Sequence, residues 1–166
     1  MKKALIVILV ALFACASLGS DFVEINTTLM RWTFRIEGPA KEPGKTTLGT
    51  VFVVGDLITN EPPKARFVLV TAAHVLEDIA SDKATLQLRV EETTGKFQRV
   101  PYEIPIRRSG KPIWTKHPDA DVAAMYVLLP TYMEKFAPVL GVNLLVDDAR
   151  MREYEIHPGD TLLCLG

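Results

Sequence analysis

Apolar runs of strand length recur along this sequence, separated by proline- and glycine-bearing breaks, and they point to a chain built mainly of β-strands. Trp32-Thr33-Phe34-Arg35-Ile36 alternates apolar and polar residues within Met30 to Glu37, and Ala84-Thr85-Leu86-Gln87-Leu88-Arg89-Val90 does so again. Successive side chains of a strand point to opposite faces, so each stretch offers one face to a core and one to water. Thr47 to Val54 is a third run, with Gly49 inside it and Gly55-Asp56 predicted as its closing turn. Phe67-Val68-Leu69-Val70, bounded upstream by Pro62-Pro63, is continuous rather than alternating, as suits a strand packed on both faces. Phe97 to Ile106 follows a turn at Gly95 and carries prolines compatible with a sheet edge. A sixth run begins after Asp121, and Gly38 to Thr46, rich in Pro, Gly and Lys, is a loop.

The run at Phe67 continues through Thr71-Ala72-Ala73 to His74, after which Val75, Leu76 and Ile79 are spaced for about one turn of helix. The two alanines let that turn pack closely on the strand. An imidazole held there has little rotational freedom, which a general base requires; a histidine that merely ends a strand or caps a helix is the plainer alternative. Downstream, His117-Pro118-Asp119-Ala120-Asp121 is a polar turn running into Val122-Ala123-Ala124-Met125-Tyr126-Val127-Leu128. Asp121 abuts the apolar strand and is preferred over Asp119 as a functional carboxylate, although aspartate before a strand is also an ordinary turn residue.

Thr71-Ala72-Ala73-His74 resembles the histidine motif of the trypsin-like serine peptidases, and Asp121-Val122-Ala123 resembles their aspartate motif. The glycine-bearing run at Thr47 resembles the strand that pairs with the histidine strand as a hairpin in that family, and the order along the chain agrees. The resemblance implies an all-β fold, with the first six-stranded antiparallel barrel of a two-barrel architecture over residues 28–130. Residues 131–158, interrupted by Pro138 and Gly141, would be an interbarrel segment with a helical turn near Asp147 to Glu153. Residues 159–166 would be the first strand of a second barrel that is otherwise missing. The resemblance further implies a serine-type endopeptidase acting on protein or peptide substrates without a cofactor. In it His74 is the general base and Asp121 the group that fixes its tautomer and stabilises the imidazolium.

The nucleophile is the expected gap. In the family it follows the aspartate, in a Gly-x-Ser-Gly-Gly loop that also forms the oxyanion hole. Here Ser17, Ser20, Ser81 and Ser109 all precede Asp121, and none has that glycine setting. Ser109-Gly110 reads as a hairpin turn, and Cys164, inside Leu162-Leu163-Cys164-Leu165, reads as a small buried hydrophobe. The expectation is a peptidase fragment lacking both nucleophile and oxyanion hole and inactive by itself. A reading from a different class is a non-catalytic exported β-barrel module, descended from a peptidase and binding a partner through an exposed strand edge.

Met1-Lys2-Lys3 followed by the short apolar run Ala4 to Ala14 is the pattern of a secretory signal peptide and is too short for a stable membrane span. Cleavage is expected after Ala16, or as late as residue 20, giving a secreted or periplasmic protein. Cys15 is a weak candidate for lipidation, since the bulky Phe13 is unusual in a lipoprotein box. Removing residues 1–16 takes away Lys2 and Lys3 and leaves 17 basic against 20 acidic side chains, a formal charge of −3. That balance gives no footprint for nucleic-acid binding. His74, His117 and His157 form no helical His-x-x-x-His pair, and two cysteines cannot build a zinc cage, so no metal site is expected.

Overall fold

In a computed structural model, which describes residues 29–60, 63–93, 96–134, 140–142 and 145–161, each of the six predicted runs is a strand. In chain order the elements are β1 (Thr33–Pro39), β2 (Thr46–Asn60), β3 (Pro63–Thr71), α1 (Ala73–Asp78), β4 (Lys83–Thr93) and β5 (Lys96–Pro105). They continue with β6 (Arg107–Arg108), β7 (Lys111–Pro112), β8 (Thr115–Lys116), β9 (Ala123–Val127), α2 (Thr131–Glu134) and α3 (Asp148–Glu153). The expected signal peptide with Cys15, and Cys164 with residues 162–166, lie outside the described residues.

Seven strands form one antiparallel sheet in the order β5-β4-β1-β2-β3-β9-β8, and β6 and β7 form a separate hairpin. The backbone pairing of the described residues does not close the sheet, whose edges are β5 and β8. Pro101 and Pro105 sit in β5, where a residue without an N–H leaves no ladder bond unmade on the outer side. Ser109 and Gly110 turn the β6–β7 hairpin with φ of 53° and 75°, a left-handed pair that two-residue hairpin turns favour.

One expectation fails at β2. Gly55-Asp56 is not a turn: the strand runs on to Asn60, with Gly55 opposite Phe67 and Asp56 opposite Arg66. The Gly55 N–H instead donates to Leu140 O at 2.8 Å, and the residue bridges to Gly141.

One face of the sheet makes the core. β1 contributes Phe34 and Ile36, β2 Val51 and Val53, β3 Phe67 and Leu69, β4 Leu86 and Leu88, β5 Ile104, and β9 Met125 and Val127, all buried. Trp32, just before β1, stacks on Phe67 with ring centroids 5.7 Å apart and planes 17° from parallel. The helix α1 adds Ala73, Val75 and Leu76 to the same cluster, with Val75 and Leu76 each contributing about 1.5–3 kcal/mol.

Gly49 decides how closely α1 can lie on β2. A Cβ at position 49 would stand 2.6 and 2.7 Å from the two Val75 methyl carbons and 3.2 Å from Val75 Cβ, closer than van der Waals contact allows. Val75 is branched at Cβ and follows His74 directly, so the obstacle cannot swing aside without moving the histidine's helix. Gly49→Ala is therefore expected to lower stability by about 1–3 kcal/mol in urea unfolding. Adding Val75→Ala should return part of that loss, as a favourable coupling in a double-mutant cycle. Strictly additive costs would show that Val75 is not the obstacle.

Candidate functional site

The antiparallel register of β3 and β9 brings the two predicted site residues together. Thr71, the last residue of β3, lies opposite Ala123, the first of β9. Residues just after the one and just before the other therefore meet at the same end of the sheet, although His74 and Asp121 are 47 positions apart. Thr71 is buried and its Oγ1 donates to Thr50 O at 2.8 Å, which ties the strand to β2 where the chain leaves it for α1. On the other side, the short β8–β9 ladder closes the loop bearing Asp121, with His117 N–H donating to Val122 O at 2.8 Å.

Asp121 engages the start of α1 three times. Its main-chain carbonyl accepts from Ala73 N–H at 3.3 Å, and its Oδ1 accepts from His74 N–H at 2.9 Å. Its Oδ2 is hydrogen-bonded to His74 Nδ1. The first N–H groups of a helix have no internal partner, and the N-cap residue here, Ala72, has no side chain to supply one. Asp121 thus caps α1 from a distance and orients the imidazole with the same carboxylate. With Oδ2 as acceptor the Nδ1 atom carries the proton, which leaves Nε2 as the basic nitrogen of a neutral ring.

These contacts hold the Asp121 carboxyl below the ordinary aspartate value of 3.8: chiefly the side-chain bond to His74, then the bond from the His74 N–H, with smaller help from the charges of His74 and Lys116. Lys116 donates from Nζ to Glu77 Oε1 at 2.8 Å, and that bond and the charge of Glu77 hold its ammonium above the usual lysine value. The side chains of His74 and Asp121 are 62% and 54% exposed, so water screens the pair. Its contribution is to geometry more than to stability.

The competing carboxylate is placed elsewhere. Asp119 is exposed, and its N–H donates to His117 Nδ1 at 3.1 Å. Among the described residues Ser81 Oγ accepts from Lys83 N–H at 3.1 Å, Ser109 sits in the β6–β7 turn, and neither is bonded to His74. No three His, Cys, Asp or Glu side chains among the described residues group as a metal site, and no helix among them is long and apolar enough to cross a membrane.

The sequence reading missed Arg107, which has no motif around it. Its Nη1 donates to Ile79 O and Ser81 O, both at 2.7 Å. Its Nη2 donates to Leu76 O at 2.6 Å and Glu77 O at 3.4 Å. The one available signal was the apolar spacing of Val75, Leu76 and Ile79, which announces a helix whose last carbonyls must find donors.

No family model, curated protein or solved structure matches this chain. The candidate site is therefore defined by its own residues: an oriented imidazole, the carboxylate that orients it, and an open face toward Nε2.

Two outcomes are expected. Because the folded Asp121 pKa lies below its unfolded value, its stabilising contribution is complete above the unfolded value and is lost as pH falls through the folded one. The carboxyl resonance of Asp121 in a 13C NMR titration should accordingly shift with a midpoint below 3.8, and a midpoint at or above 3.8 would contradict the capping geometry. In Asp121→Asn the amide oxygen can keep the His74 N–H, but the amide nitrogen then faces Nδ1 as a donor. Ring 15N shifts should report the proton moved to Nε2.

Proposed function

We propose that this chain is the first-barrel portion of an exported trypsin-like serine endopeptidase, with His74 as its general base and Asp121 as the residue that orients it. The observation that carries the proposal is the double use of the Asp121 carboxylate, one oxygen on the His74 main chain and the other on Nδ1. That arrangement fixes both the position and the tautomer of the imidazole and directs Nε2 away from the carboxylate. In peptide hydrolysis Nε2 would take the proton of a serine hydroxyl as it attacks the scissile carbonyl, and would return it to the leaving amine. The Asp121 charge would stabilise the imidazolium between the two steps.

The barrel reading has support of its own. All six long strands contribute to one buried cluster on one face of the sheet, and strands that bury a face against each other have to curl. Tyr102 O–H, from edge strand β5, donates to Leu128 O, one residue beyond β9, at 3.1 Å. That bond links the two strands whose pairing would complete a six-stranded barrel.

The reaction also needs a nucleophile and oxyanion donors, and every serine of the 166 residues precedes Asp121. In this reading they come from sequence outside these residues, and the 166-residue chain alone is inactive. Removing the nucleophile from a triad leaves only a small residual of its catalysis. A non-catalytic exported binding module is favoured by a different observation: among the described residues no hydroxyl is bonded to His74, and the edge strand β8 beside the site is exposed.

An activity-based fluorophosphonate probe separates the two. The product of the native gene should be labelled, with labelling abolished by His74→Ala and reduced about 10⁴-fold in rate by Asp121→Asn. The 166-residue chain should remain unlabelled. A well-expressed native product that takes no label would overturn the peptidase reading in favour of the module.

A further inference from the structure

The helix that carries His74 has six residues, too few to hold a helical conformation by its own hydrogen bonds. Its amino end is held by Asp121, its buried side by the core, and its carboxyl end chiefly by one guanidinium. Arg107 reaches four carbonyls along the exit path: Leu76 and Glu77 within α1, Ile79 at its end, and Ser81 beyond. Thr47 Oγ1 donates to the remaining carbonyl of the last turn, Asp78 O, at 3.3 Å. Among the described residues Arg107 has no carboxylate partner, so its donors go to main-chain oxygens.

The base of Arg107 is fixed as well. Its own N–H and that of Ile106 both donate to Asp82 O, at 3.0 and 2.8 Å, and Gly110 N–H donates to Asp82 Oδ2 at 3.3 Å. The β6–β7 hairpin is thereby anchored to the segment leaving α1, and its guanidinium is aimed back at the helix end. A cation at that end also complements the partial negative charge of the helix, as the Asp121 carboxylate complements the positive end. A planar fork with two Nη atoms serves carbonyls on both sides of it, which the single nitrogen of a lysine cannot reproduce.

We infer that Arg107 is a positioning residue for His74: by clamping the carboxyl end of α1 it fixes the backbone on which the imidazole meets Asp121. This rests on the reading of His74 and Asp121 as the working pair of the site, and it adds a third residue from a hairpin that does not belong to the main sheet. When the clamp is removed the last turn of α1 frays. The His74 N–H then leaves Oδ1 more often, and Nδ1 loses its fixed acceptor.

The test compares Arg107→Ala, Arg107→Lys and the neighbouring control Arg108→Ala in the 166-residue chain, by ring 15N NMR of His74 and by amide hydrogen exchange. The control should match the parent chain. Arg107→Ala should show the His74 proton divided between Nδ1 and Nε2, and exchange at the His74 N–H faster by about tenfold or more, the effect of losing at least one charge-assisted hydrogen bond. Exchange at Leu69 and Leu86 in the core strands should change much less, and Arg107→Lys should fall between parent and alanine variant. A single Nδ1-protonated tautomer with unchanged exchange in Arg107→Ala would overturn the inference. So would acceleration that is equal at His74, Leu69 and Leu86, which marks a general stabiliser. If Arg107→Ala does not fold, Arg107→Lys decides by the same criteria. These readouts need no peptidase activity, so failure of fluorophosphonate labelling and failure of the clamp are separate results.

Discussion

A helix of six residues cannot persist in water unless other parts of the chain hold it, and the site depends on how α1 is held. Forming the first helical turn fixes several backbone dihedrals in return for very few hydrogen bonds, and a helix this short never recovers that entropy by propagation. Its open groups are met from outside instead. Asp121 takes the first N–H groups, Arg107 and Thr47 take the last carbonyls, and Ala73, Val75 and Leu76 enter the core. Each partner comes from a different part of the chain, so the position of His74 is a property of the whole sheet.

The division of labour follows from burial. The side chains of the His74–Asp121 pair are more than half exposed, and a polar pair in that setting adds little to stability. The fold is stabilised below them, by the apolar cluster that all six long strands share. The pair can therefore be specialised for orientation. Gly49 shows how closely the two layers are matched, since the absence of one methyl group there sets the height at which Val75, and with it His74, rides over β2.

Local patterns carried much of the architecture. Alternation at Trp32 to Ile36 and at Ala84 to Val90 marks strands because a period of two is the geometry of the pleat, and the continuous run at Phe67 marks one through its branched and aromatic side chains. Prolines in β5 announced an edge, and Ser109-Gly110 announced a turn, through backbone preferences that act within one or two residues. The same kind of reasoning failed at Gly55, where a glycine can close a turn or sit within a strand. Leu140 and Gly141, far along the chain, decided for the second.

The sequence by itself determined the six long strands, the short helix after His74, and the candidates for the site, His74 with a carboxylate from the Asp119–Asp121 turn. Those features follow from side-chain periodicity and residue chemistry, which are local. Only the tertiary structure decided that Asp121 and not Asp119 meets the imidazole, because that depends on the pairing of Thr71 with Ala123 across the β3–β9 ladder. It alone placed Arg107 at the end of α1, since a guanidinium bonded to main-chain carbonyls leaves no side-chain pattern to read. Hydrogen bonds between distant backbone segments are set by register and packing, and neither is written in any one stretch of the chain.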